Sequence, residues 1–106
     1  MSVSKRVCGR DELGVGQAAR FVVEGEPICL VRTEGGFRAI GDTCSHEDYS
    51  LAEGEVDLDA CEIECWKHGS MFSLETGEPT TLPATRSVAV YEVVVDGEDV
   101  IVTIPS

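Results

Sequence analysis

Positive charge is scarce in this chain. Lys plus Arg number 8 against 20 Asp plus Glu, a formal charge of −12 at pH 7 over 106 residues. That balance argues against nucleic acid and against membrane surfaces as partners, because both are polyanions. A basic protein surface is the counterpart it fits. The charge is spread over a chain that is 42% hydrophobic, which is the composition of a folded domain and not of an acidic disordered tail. Long apolar runs are also missing: nothing approaches membrane-spanning length, and residues 1–9 hold no apolar stretch that reads as a signal sequence. A cytoplasmic protein is expected. There is no Gly-rich dinucleotide loop, so hydride transfer from a nicotinamide is not expected of this chain alone. Histidine is limited to two, His46 and His68.

The length sets one small domain, residues 1–106, with a modest core that gains from anything cross-linking its loops. Short β-branched runs alternate with turn signals. Arg20–Val23, Ile28–Arg32 and Phe37–Ile40 are separated by turns at Glu24-Gly25 and Glu34-Gly35-Gly36. Val88–Val95 and Val100–Ile104 flank Asp96-Gly97, a strong hairpin signal. Only Asp11–Leu13 suits a helical turn, stopped by Gly14 and Gly16. The predicted fold is therefore all-β, with residues from about 41 to 85 inserted between strands. Phe21, Phe37 and Tyr91 are read as core or strand-face residues.

That insertion carries the chemistry. Cys44-Ser45-His46 is followed, after the eighteen residues 47 through 64, by Cys65-Trp66-Lys67-His68. Two loops thus offer one thiolate and one imidazole each, a donor set for zinc or an iron-sulfur centre and not for magnesium or calcium. Five cysteines in a reducing compartment favour metal ligation over disulfides. Structural zinc sites draw on pairs spaced by two to four residues, whereas one residue separates Cys44 from His46. Four-cysteine ferredoxins use a Cys-x-x-Cys element, and none occurs here. What remains is a 2Fe-2S cluster with two thiolates on one iron and two imidazoles on the other.

The two boxes, Cys44-Ser-His46 and Cys65-Trp-Lys-His68-Gly69-Ser70, resemble those of Rieske proteins, and the resemblance continues through 72–79 and 82–85. It spans most of Gly41 to Tyr91. It implies a small antiparallel β-sandwich with an inserted cluster-binding subdomain, one 2Fe-2S cluster, Cys44 and Cys65 on the inner iron, and His46 and His68 on the outer one. High-potential Rieske proteins of respiratory complexes carry an extra cysteine in each box, joined as a disulfide. The aligned positions here are Tyr49 and Lys67, so that disulfide is excluded. Those proteins also place a tyrosine two residues after the box serine, its hydroxyl donating to a cysteine sulfur. Phe72 stands there, while Ser70 is kept. Losing a donor to cluster sulfur lowers the potential, so the expectation lies toward the lower end of the Rieske span of roughly −150 to +300 mV.

Each ligand histidine would keep one ring nitrogen for solvent or a partner, making His46 and His68 the expected electron exit and a route for coupling reduction to proton uptake. Because both histidines are used, the mononuclear iron of a Rieske oxygenase has no ligands here. The chain is read as a one-electron carrier and not an enzyme. The resemblance implies the ferredoxin component of an aromatic-ring dioxygenase, taking electrons from a flavoprotein reductase and giving them to a terminal oxygenase through basic docking surfaces. A Rieske ferredoxin of iron-sulfur assembly, a nitrite reductase small subunit, and a zinc-stabilised interaction module are the competing readings. Glu47 and Asp48 are assigned either to the docking patch or to solvated loop. Trp66, Cys8 and Cys29 are assigned to packing, Pro83, by the resemblance, to a loop covering the cluster or else to an ordinary turn after Pro79, and Gly69 to a special backbone shape or close approach. Cys61 is placed on one strand face with Ile63 and Cys65, as a structural thiol.

Overall fold

The computed structural model describes residues 2–44, 49–67, 69–81 and 86–105. These residues form nine strands: β1 Ser2–Gly9, β2 Ala18–Val23, β3 Glu26–Thr33, β4 Gly36–Gly41, β5 Val56–Asp57, β6 Glu62–Glu64, β7 Met71–Ser73, β8 Val90–Asp96 and β9 Asp99–Pro105. They pair in two antiparallel sheets, one ordered β1-β9-β8-β4-β3-β2 and the other β5-β6-β7. The smaller sheet falls between β4 and β8 in the chain, which is where the sequence places the insertion.

The hairpins follow from their turns. Val23 pairs with Glu26, Thr33 with Gly36 and Asp96 with Asp99, so each loop is two residues long and each contains a glycine. The short helical turn forms as a 3₁₀ turn at Arg10–Glu12. The expected sandwich takes the form of one six-stranded sheet curled until its edge strands β1 and β2 approach each other. Lys5 of β1 and Glu24, at the β2–β3 turn, span that seam at 3.4 Å.

Strand β3 explains how the two sheets are joined. Ile28, Cys29, Leu30 and Val31 are all fully buried, although successive side chains of a strand point to opposite faces. Both faces must therefore be covered. Ile28 and Leu30 point into the curl with Val23, Ala39, Val100, Val102 and Ile104. Cys29 and Val31, with Ile40 of β4, point the other way and pack on Leu51, Ile63, Phe72 and Leu74 of the insertion. At about 1.5–3 kcal/mol for each large apolar side chain buried, this second core is what fixes the insertion on the sheet. Phe21, Phe37 and Tyr91 lie half-buried against the first core, as expected.

Strand β1 has no counterpart in the expectations. Its alternation is broken by a bulge between Arg6 and Cys8, where the register against β9 shifts. Past the bulge, Cys8 is buried in the first core, which agrees with its assignment to packing.

Candidate metal centre

Two loops of the insertion have the same backbone design. In the first, the Cys44 N–H donates to the Tyr49 carbonyl (2.8 Å), and Thr43 bridges to Ser50 behind it. In the second, the Cys65 N–H donates to the Ser70 carbonyl (2.7 Å), where β6 passes into β7 with Glu64 opposite Met71. Each cysteine thus begins a six-residue loop closed by a hydrogen bond to the carbonyl five positions on. Both are buried, Cys44 at 2% and Cys65 at 0% exposure, and both belong to the apolar cluster beneath β3.

The base of the first loop is held by Asp42, which is 2% exposed. Its carbonyl accepts from the Leu51 N–H (2.6 Å), its Oδ1 from the Ala52 N–H (3.0 Å), and its Oδ2 lies 3.1 Å from Nε of Arg20. These contacts offset the cost of burying a carboxylate, and they tie the loop to β2 and to the 3₁₀ turn Leu51–Glu53. In the second loop the Gly69 N–H donates to the Cys65 carbonyl (2.9 Å). Gly69 has φ +76 and open space where a Cβ would point, so it is the backbone shape, not a close approach, that calls for glycine there.

Of the four predicted ligands, Cys44 and Cys65 are brought to one buried cluster; His46 and His68 lie outside the described residues, as do Glu47, Asp48 and Pro83. Phe72 and Ser70 are both fully buried, Phe72 within the same cluster as the two cysteines.

Two assignments need correction. Trp66 is not a core residue: it is 48% exposed and meets Tyr49 edge to face, with centroids 5.3 Å apart at 83°. Packing against one ring at a loop tip leaves its remaining surface in solvent. Cys61 does not share a strand face with Ile63 and Cys65. It precedes β6 in a left-handed conformation, φ +55, its carbonyl accepting from the Leu74 N–H (2.9 Å), and it packs half-buried at the cluster's margin. Burial pushes its thiol pKa up, with Glu75 adding, Arg38 opposing and Glu62 adding. Cys29 is fully buried, and desolvation, reinforced by Asp42, raises its thiol far above the ordinary range. It is a packing residue, as expected.

Sequence reasoning missed the contact that joins the two loops. The Lys67 ammonium stands 5.8 Å from the ring centroids of both Tyr49 and Trp66. It also missed an asymmetry of charge. Residues 41–85 hold 11 carboxylates and a single cation, Lys67, for a net charge of 1 − 11 = −10. The acidity is concentrated on the insertion and not spread along the chain.

The donor chemistry fits a soft, cysteine-bound metal. Two cysteine sulfurs at matched loop positions, both buried in one cluster, are the soft donors such a metal takes. The Rieske [2Fe-2S] domain model matches residues 4–92, and the chain belongs to that family. It is a ferredoxin-type member that binds one 2Fe-2S cluster and transfers electrons: it is 36% identical over 97 residues to the ferredoxin component of biphenyl 2,3-dioxygenase from Rhodococcus jostii (strain RHA1), covering 92% of this chain and 89% of that one. Among solved structures, the ferredoxin of carbazole 1,9a-dioxygenase from Nocardioides aromaticivorans IC177 superimposes with a TM-score of 0.91 at 37% identity, over 93% of this chain and 95% of that one. A complex of reduced oxygenase and oxidized ferredoxin in carbazole 1,9a-dioxygenase contains a chain matching at 36% identity and TM-score 0.86, over 93% and 91%. Among the described residues no helix is long and apolar enough to cross a membrane.

Proposed function

We propose that Cys44, His46, Cys65 and His68 hold the cluster, thiolates on one iron and imidazoles on the other, and that the chain carries single electrons from a flavoprotein reductase to the terminal oxygenase of a ring-hydroxylating dioxygenase. The reading takes residues 1–106 as one Rieske domain with a cluster-binding insertion at about 41–85, working in the cytoplasm. The observation that carries it is the pair of matched loops, each opening with a buried cysteine in the same apolar cluster. When bound, the cluster supplies a one-electron couple. The chain's own residues do the rest. Asp42 and Arg20 anchor the first loop, and the β6–β7 pairing anchors the second. Ile63, Phe72 and Leu74 keep water from the cysteine side. Phe72 offers no hydroxyl to cysteine sulfur, which favours a low potential within the family range. The charge of −10 on the insertion suits basic docking surfaces on both partners.

The test is chemical analysis with site variants. Purified protein is expected to contain two iron and two acid-labile sulfide per chain and to show an EPR signal only after reduction. Cys44→Ser and Cys65→Ser should lose that stoichiometry, whereas Cys61→Ser keeps it. A Cys65→Ser protein with full iron and sulfide, or material holding zinc, overturns the ligand set.

A further inference from the structure

We infer that Lys67 is the fixed counter-charge of the metal centre, held there by the rings of Tyr49 and Trp66; the inference rests on the cluster-carrier reading and extends it to residues outside the ligand set. Lys67 lies between Cys65 and His68 in sequence and is the only Lys or Arg from residue 39 through 85. The neighbouring cations Arg20 and Arg38 are spent on carboxylates, Arg20 on Asp42 at 3.1 Å and Arg38 on Glu75 at 3.7 Å. Lys67 is held differently. Among the described residues no carboxylate lies within ion-pair distance of it. Its Nζ instead sits 5.8 Å from both ring centroids, inside the range in which an aromatic face attracts a cation.

The difference matters because a carboxylate would cancel the ammonium's charge, while a ring quadrupole localises the cation and leaves its unit charge intact. The two rings also come from different loops, Tyr49 from the first and Trp66 from the second, and touch edge to face. The Lys67 side chain therefore reaches across from its own loop to the other. Reduction adds one negative charge to a region already at −10. An ammonium held by rings on the residue beside a proposed ligand opposes that repulsion and favours the reduced state. Lys67, Tyr49 and Trp66 are thus positioning and potential-setting residues.

The experiment is an EPR-monitored redox titration of the cluster-loaded protein at low and high salt, with iron and sulfide measured on each sample. Lys67→Met is expected to keep full iron and sulfide and to titrate at a lower potential than the parent. Lys67→Arg should restore the parent value, because the charge returns on a side chain that also sits well on aromatic faces. The double variant Tyr49→Leu/Trp66→Leu keeps the ammonium and loses what holds it, so its potential should fall part of the way. High salt should narrow every difference. A Lys67→Met protein that is fully loaded and titrates with the parent overturns the inference and leaves the carrier reading standing. So does a Lys67→Arg protein that falls as far as Lys67→Met, or a ring variant indistinguishable from the parent. A parent protein without two iron and two sulfide overturns the carrier reading and this inference with it.

Discussion

Phe72 shows how much one side chain decides at the residue scale. Its ring is fully buried in the cluster that contains Cys44 and Cys65, at the position where the respiratory branch of the family places a tyrosine that donates to cysteine sulfur. Phenylalanine keeps the packing and gives up the donor. A hydrogen bond to a group that gains charge on reduction stabilises the reduced form, and a net value of about 1 kcal/mol is about 40 mV for one electron. Phe72→Tyr is accordingly expected to raise the midpoint potential by about 40 mV, read by voltammetry or EPR titration. An unchanged potential with stability lower by about 1–3 kcal/mol would mean that the hydroxyl is buried with no sulfur in reach.

At the scale of elements, glycines with the same left-handed backbone separate conformational need from packing. Gly97, in the β8–β9 turn, has φ +64 and nothing within 4 Å of where a Cβ would stand. Gly77, in the turn after β7, has φ +74, and a Cβ there would fall 2.2 Å from the Val88 carbonyl oxygen. Gly97→Ala is expected to cost only the left-handed penalty of about 1–2 kcal/mol. Gly77→Ala pays that and must also push apart the backbone contact through which the Gly77 carbonyl accepts from the Val88 N–H (2.8 Å). Overpacking adds about 1–3 kcal/mol. The melting temperature of the loaded protein should rank Gly77→Ala clearly below Gly97→Ala, and equal melting temperatures would contradict the close approach. The same turn accounts for the late start of β8: Val88 is engaged by Gly77, so the strand begins at Val90 and not where the apolar run begins. Hairpins were legible because Glu24-Gly25 and Asp96-Gly97 carry their turn chemistry locally. The insertion's strands were not, since β5, β6 and β7 span two or three residues, too few to display a period of two. Cys61 escapes the two-residue period for that reason: it lies one residue before β6 begins at Glu62. The cysteine-histidine boxes could be read directly because ligand spacing is a property of sequence. The meeting of Tyr49, Trp66 and Lys67 could not, because it exists only once the two loops lie side by side.

For the whole molecule the governing fact is that most of the net charge and all four proposed cluster ligands fall in the same stretch, residues 41–85. Residues 41–85 carry −10 of the −12, leaving −2 for the rest of the chain, so the charge is lopsided, and under the proposed function a basic partner would draw in the insertion. Placement of charge, beyond its total, should then control encounter. Glu53, Asp57 and Asp59 are exposed on the insertion, and Glu92, Asp96 and Glu98 are exposed on β8 and the turn that follows it. Removing three charges from the first set, as Glu53→Gln/Asp57→Asn/Asp59→Asn, should slow second-order electron transfer to the oxygenase by about tenfold at low ionic strength and flatten its salt dependence. Removing three from the second set, as Glu92→Gln/Asp96→Asn/Glu98→Gln, changes net charge equally and should leave both nearly untouched. Stopped-flow rates across a salt series separate the two cases. If both triple variants slow transfer alike, net charge alone steers the protein. If only the first does, the insertion carries the steering field together with the cluster, and the curled sheet serves mainly as its rigid support.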